Sequence, residues 1–274
     1  MSVLSAGAFA NIITAIVFFI ALITFFNLSF EPNGYAFNTY TYSILPLNET
    51  RISELIQNNL TSVFYDNKTY YIDSILKKQI KNDTNLIIAY NNAPAINAGL
   101  KGIIIKIDES PIRNQKDMQK FMEKTKPGQK VLVKTIIDNK DIEYNISLAI
   151  NPANNSIGYL GVGFISSKPS SGLISRAIFL INFKEPSTYY TPKYDGNFVY
   201  FIYYLIWWIA LISALVGLFN MLPLGILDGG RFFYLTMLSI TKSKKFSGVF
   251  FKIVSGIILF AFLLLTFIWL VRLF

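Results

Sequence analysis

The chain contains no cysteine and no histidine among its 274 residues. Without cysteine there is no disulfide framework and no thiolate metal site. Without histidine no imidazole is available as a metal ligand. Acidic residues are also few, 16 against 25 Lys and Arg, for a formal net charge of +9. That excess does not describe a nucleic-acid binder. Most of the cations, 19, are scattered through residues 51–193 among 12 acids, and no basic helix or aromatic-basic strip occurs.

What the chain has in quantity is apolar surface. It is 53% hydrophobic, with a mean hydropathy of +0.43, which fits a membrane protein with room for one soluble domain. Three apolar runs, Val3–Phe26, Phe198–Leu222 and Val249–Leu273, reach the roughly 20 residues needed to cross a bilayer. The expected partners are therefore the lipid bilayer and molecules embedded in it.

The second run ends in Asn220-Met-Leu-Pro-Leu-Gly-Ile-Leu-Asp-Gly-Gly-Arg231, which sets an acid at membrane depth. Such a carboxylate costs about 2.5–3.5 kcal/mol on insertion scales and marks a site by default. Pro223 has no N–H and clashes with the preceding turn, so the helix stops or kinks there. Asp228 is then expected on non-helical backbone, with Gly229 and Gly230 permitting a tight, close-packed turn. Such backbone survives in lipid only when it is buried in protein or lines a wet cavity. The plainer alternative is a Pro/Gly turn at a helix end, with Asp228 facing interfacial water.

Taken in order, residues 1–28 form a transmembrane helix whose start is rich in small residues, which lets another helix pack closely. Residues 29–85 are polar and Tyr/Asn-rich, of unknown fold, with Ile52–Leu60 and Tyr70–Ile80 as short amphipathic helix candidates. Asn48-Glu-Thr, Asn67-Lys-Thr and similar tripeptides are compatible with an extracytoplasmic face. Residues 86–165 read as a small α/β module. Leu86–Tyr90 is a strand, Ala93 to Gly99 a short helix, Ile103–Ile107 a strand and Asp117–Lys124 a helix. Lys130–Ile137 and Ile142–Leu148 form a hairpin around Asp138-Asn-Lys.

Residues 170–197 are a linker in which Ser170–Ile181 is amphipathic and suited to a membrane surface. Residues 198–241 hold the second span and the broken segment, and residues 246–274 the third span. Tyr200, Tyr203, Tyr204, Trp207 and Trp208 place one end of the second span at an interface. The Lys242, Lys244, Lys245 loop favours the cytoplasmic side. On that rule residue 1 lies inside, while the α/β module and the C-terminus lie outside.

Asn220, Pro223 and Asp228-Gly229-Gly230 follow the pattern Asn-x-x-Pro-x(4)-Asp-Gly-Gly, which resembles the site-2 protease family of intramembrane zinc metalloproteases. The resemblance implies that Asp228 is the third zinc ligand and that Asn220 and Pro223 line the substrate and water side of a catalytic site. Ala6-Gly7-Ala8-Phe9-Ala10-Asn11 is similar to the family's Gly-Pro-x-x-Asn core-helix motif through Gly7 and Asn11, with Ala8 in place of Pro. Ala93-Pro-Ala-x-x-Ala-Gly-Leu100 and the Ile-x-x-Ile-Asp-x-x-Pro-Ile run ending at Ile112 resemble a PDZ domain, although the usual turn is shortened to Lys101-Gly102. Gly158-Tyr-Leu-Gly-Val162 resembles the strand returning from that domain to the membrane.

The implied fold is a multi-pass α-helical membrane protein with an inserted extracytoplasmic α/β PDZ-like domain. The implied location is the cell membrane. The implied activity is zinc-dependent hydrolysis of peptide bonds in membrane-spanning substrates, with membrane proteins or peptides as partners.

The family's other zinc ligands come from His-Glu-x-x-His, two imidazoles on one helix face with a glutamate as general base. A chain without histidine cannot supply them. It is therefore expected to be a later portion of such an enzyme, inactive alone, with the motif helix removed, excluded by a mis-assigned start or carried on a separate polypeptide. The alternative is a catalytically inactive membrane PDZ protein that binds peptides or membrane proteins. A transporter or channel fits poorly, since there is one intramembrane acid and no inverted repeat.

Overall fold

The computed structural model describes residues 2–57, 60–74, 76, 85–164 and 183–271. The helices are α1 (Ser2–Ser29), α2 (Pro94–Asn97), α3 (Gln115–Met122), α4 (Gly196–Asn220), α5 (Asp228–Thr241) and α6 (Lys244–Val271). The chain divides into a helical unit, Met1–Phe30 with Pro192–Phe274, and a β-rich unit, Glu31–Thr191.

In the helical unit, α1 buries Ala8, Ala15, Leu22 and Phe26, positions seven, seven and four apart that fall on one stripe of a helix. Phe9, Ile13, Ile16, Val17 and Ile20 remain exposed. A helix that is apolar on its open face as well is at home in hydrocarbon and poorly placed in water. Gly7–Ser29, Gly196–Asn220 and Lys244–Val271 are long and apolar enough to cross a membrane, as the three sequence runs require. They mark the chain as an integral membrane protein.

Helices α1 and α4 run antiparallel. At one end Phe30 packs on Tyr200 and Tyr203, with ring centroids 5.5 and 5.6 Å away, and Phe26 lies 6.2 Å from Tyr203. At the other end Gly217 sits against Ala8 and Ile12. A Cβ on Gly217 would stand 2.8 Å from Ile12 Cγ1 and 3.3 Å from the Ala8 carbonyl. This is the close backbone approach that small residues give helices in lipid.

The β-rich unit contains two main antiparallel sheets and two short ladders, β2 (Thr39–Tyr40) with β14 (Val162–Gly163) and β12 (Ala149–Asn151) with β13 (Asn154–Tyr159). The first sheet runs β11 (Lys140–Ser147), β10 (Lys130–Ile137), β8 (Ile103–Ile107), β1 (Phe30–Tyr35) and β15 (Thr188–Pro192), with β9 (Ser110–Pro111) also on β8. Alternation puts Val131, Val133 and Thr135 inward and leaves Leu132 exposed. Asp138 and Asn139, both at positive φ (48° and 61°), make the two-residue turn that suits strand twist. The Asn114 side chain caps α3 by accepting the Asp117 N–H at 3.0 Å. Met118 of α3 then joins Ile104, Ile107, Val133 and Leu148 in the core. The hairpin and this helix lie within two residues of their expected limits.

The second sheet has the order β3 (Tyr42–Pro46), β7 (Leu86–Asn91), β6 (Lys68–Ile72), β5 (Leu60–Tyr65) and β4 (Arg51–Gln57). Leu45, Val63, Ile72, Ile87 and Ala89 form its core. Here the sequence-based expectations need correction. Ile52–Leu60 and Tyr70–Ile80, read as helices, begin in strands β4 and β6. Their β-branched and aromatic residues find partners across the sheet, and that pairing outweighs a weak helical period. Asp66 and Asn67, at φ 46° and 55°, turn β5 into β6. Strand Leu86–Tyr90, placed with the α/β module, instead pairs with β3 and β6. The amphipathic segment Ser170–Ile181 lies outside the described residues.

Candidate functional site

Helix α4 stops at Asn220 because Pro223 cannot continue it. The connection then turns tightly, the Leu224 N–H donating to the Leu222 carbonyl at 2.8 Å and the Leu227 N–H to the Leu224 carbonyl at 2.9 Å. The carbonyl of Pro223 would be left without an intrahelical partner. Ser255, on α6, donates its hydroxyl to it at 2.5 Å.

Asp228 is the first residue of α5. This corrects the expectation of non-helical backbone. Leu227, extended at φ −102° and ψ 157°, precedes it and offers no side-chain cap, so Asp228 is an acid in the first turn of an uncapped helix start. A negative charge there is favoured by the helix dipole. The glycines do permit close packing, at a helix start and not within a turn. A Cβ on Gly229 would overlap the Met221 carbonyl, and one on Gly230 the Leu224 carbonyl. Their bare Cα atoms let the first turn of α5 lie directly on the connection that follows α4.

The structure brings Gly7 and Asp228 together. A Cβ on Gly7 would stand 3.4 Å from Asp228 Oδ2, so the carboxylate rests against the small-residue start of α1. Asn220 at the end of α4 and Asn11 one turn along α1 from Gly7 are both half-buried. Among the described residues neither amide side chain has a hydrogen-bond partner, and Asp228 has neither a hydrogen bond nor an ion pair, although Arg231 lies one helical turn away. Polar groups in such a setting are normally satisfied. The Asp228 carboxylate and the Asn220 amide flank one helix break without partners among the described residues, and the Asn11 amide lies one turn along α1 from the Gly7 that Asp228 rests against.

Zinc is the metal that the sequence resemblance implies, and its fit can be judged on the donors present. A catalytic zinc takes three protein ligands and keeps a position for water. Among the described residues no three His, Cys, Asp or Glu side chains come together. Asp228 is a single oxygen donor, so this chain's described residues do not fit a catalytic zinc by themselves.

Sequence reasoning missed Ser255, whose signal was a hydroxyl in a span of Ile, Leu and Phe. It also passed over the cations Arg231 and Lys252 beside the break. No curated protein matches the chain. The model for peptidase family M50 matches residues 1–266, and the chain belongs to that family, the site-2 protease family.

Proposed function

We propose that this chain supplies the carboxylate-bearing half of an intramembrane peptidase that cuts peptide bonds in membrane-spanning substrates. Membership of family M50 implies a site-2 protease-type, zinc-dependent metalloprotease. The observation that carries the reading is the unpartnered Asp228 carboxylate held against Gly7 at the break after Pro223. In the proposed assignment Asp228 is one of three zinc ligands, and the two imidazoles belong to a His-Glu-x-x-His segment that is not within residues 1–274. No metal-dependent step follows from this chain alone.

The chain's own residues have roles that do not require the metal. A substrate helix must unwind before it can be cut, because its carbonyls are occupied in its own ladder. The connection after Pro223 offers main-chain groups outside any regular helix, and the Asn220 amide has donors and an acceptor free to hold an unwound strand. Asn11 faces the same needs from α1. Residues 86–165 would act as an extracytoplasmic PDZ-like filter that takes an extended peptide end along a sheet edge. The antiparallel sheet with α2 and α3 packed on it supports that reading, and the Lys242–Lys245 turn supports the orientation.

Zinc analysis of the purified chain tests the assignment, alone and co-expressed with a His-Glu-x-x-His segment. We expect stoichiometric zinc only with the segment present and Asp228 intact. Tight stoichiometric zinc on the lone chain would overturn the ligand assignment.

The complete absence of histidine favours a second reading, a non-catalytic membrane protein that binds peptides through the same β-rich unit. Cleavage of a membrane-anchored reporter in the presence of the motif segment separates the two. Cleavage lost in Asp228→Asn supports the peptidase, and binding without cleavage supports the alternative.

A further inference from the structure

Beside the helix break lies a second feature that the peptidase reading does not use. A cavity of about 520 Å³ opens along α5 and α6, walled by Gly225, Tyr234, Gly248 and Phe251 and edged by Arg231 and Lys252. Its lining is almost wholly apolar. Gly248 faces open space, and a Cβ on Gly225 would lie 3.7 Å from the Phe251 ring. Among the described residues neither Arg231 nor Lys252 has a carboxylate partner.

The helical unit has little acid to offer them. Its two acids are Asp195, at the opposite end of α4, where it caps that helix by accepting the Asn197 N–H at 3.0 Å, and Asp228, which has no partner among the described residues. From Arg231 to Lys252 the chain carries Arg231, Lys242, Lys244, Lys245 and Lys252 and no acid.

The depth of the cavity follows from the sequence of α6. The 19 residues Ile253–Val271 carry no charge and rise about 28 Å at about 1.5 Å each, close to the roughly 30 Å of a hydrocarbon core. Lys252 therefore stands at the edge of the hydrocarbon, where phosphates lie. An apolar wall continuing into the bilayer, with two unneutralised cations at phosphate level, matches an amphiphile with a net negative headgroup. A free phosphate would leave the wall empty. A zwitterionic lipid brings its own cation to the two already there.

We propose that this cavity binds one anionic phospholipid, its phosphate on Arg231 and Lys252 and its upper acyl chain against Tyr234 and Phe251. Basic pockets between membrane helices take such headgroups. The bound lipid would brace Gly225 and with it the connection that carries Pro223. This inference does not depend on peptidase activity, because lipid retention needs neither zinc nor substrate.

The test is native mass spectrometry of the full chain, reconstituted in equal parts phosphatidylglycerol and phosphatidylcholine and then released. The wild type is expected to retain one phosphatidylglycerol. R231Q/K252Q is expected to weaken retention about 30-fold, at about 1 kcal/mol per cation. K244Q/K245Q removes the same charge away from the cavity and is expected to cost no more than about threefold by the same electrostatic attraction at greater distance. Gly248→Leu fills the cavity without changing charge and is expected to abolish retention. Helical circular dichroism checks each variant's fold, and a misfolded variant leaves the other to decide.

Equal retention of the two lipids would overturn the proposal. So would undiminished retention in both cavity variants, or a K244Q/K245Q effect as large as that of the cavity pair. Displacement of the lipid by inorganic phosphate would point to a free-anion site and overturn it too.

Discussion

In the β-rich unit Lys106 reaches Glu109 at 2.7 Å and Lys134 reaches Asp141 at 2.8 Å, although water is at hand and such exposed pairs contribute little. Lys106 holds the Glu109 carboxyl below its usual range by a direct hydrogen bond. In the helical unit Asp228, Arg231 and Lys252 have no partner among the described residues, although unpaired charge costs most in lipid. The β-rich unit has charges where a soluble surface puts them and pairs them when chance allows. The helical unit has few. We read the three as held for partners outside the chain, a metal at Asp228 and a lipid phosphate at Arg231 and Lys252, whereas the paired charges of the β-rich unit are ordinary surface.

Glycine packing at the break gives the sharpest way to strain that contrast. Gly230→Leu drives a side chain onto the Leu224 carbonyl and should cost about 3 kcal/mol or more, read as a shift of the unfolding midpoint in detergent. Gly248→Ala, which meets open space, should stay within about 0.5 kcal/mol. Equal effects would mean that close backbone approach is not what selects glycine there. In the β-rich unit, Ile104 is fully buried, and Ile104→Ala should cost about 3 kcal/mol in an unfolding titration followed by near-ultraviolet circular dichroism. A much smaller loss would show a core that collapses around the deletion.

Ser255→Ala comes next. It leaves the Pro223 carbonyl unpaired, and we expect about 1 kcal/mol in the same detergent titration. No change would show that water or the connection itself satisfies that carbonyl.

The smallest effect concerns Tyr90, half-buried, whose hydroxyl donates to Asp73 Oδ2 at 3.2 Å. Burial first, and then the Asp73 charge, push its pKa up to about 12. The folded state thus holds this proton more tightly than the unfolded chain does. Its contribution to stability is full below the ordinary tyrosine pKa of about 10 and is lost as pH rises through about 12. Tyr90→Phe should flatten the stability profile across that window. A profile unchanged from wild type would contradict the assignment.

Legibility in the sequence followed the range of the forces involved. The three spans were readable because a run of apolar residues needs no partner to declare itself. The hairpin at Asp138-Asn139 was readable because its turn chemistry is local. The same signal stood at Asp66-Asn67 and went unused, so β5 and β6 were missed. Strand β4 was missed with them, its residues read as a helix. Strand β7 was read as a strand, but its partners β3 and β6 lie away from the module it was placed in, and periodicity does not reveal partners. At the site, the motif brought out Asp228, Asn220, Pro223, Gly229, Gly230, Gly7 and Asn11. That Gly7 faces Asp228 is a matter of helix packing, and that Asp228 begins a helix follows from the two glycines allowing α5 to start on top of the connection. Ser255 and Lys252 lie on another helix with no motif around them, and only the folded chain brings them to the break.

Asp228→Asn tests the central claim most directly, with stability measured on the metal-free chain, because bound zinc itself stabilises the folded state, and zinc retention measured in the presence of a His-Glu-x-x-His segment. The carboxylate loses no hydrogen bond or ion pair and only the modest attraction of the helix start, so the metal-free variant should unfold within about 1 kcal/mol of wild type, while zinc retention falls away. A variant destabilised by about 2 kcal/mol or more, the scale of a broken buried pair, with zinc retained in full, would show that Asp228 holds the fold together and receives nothing.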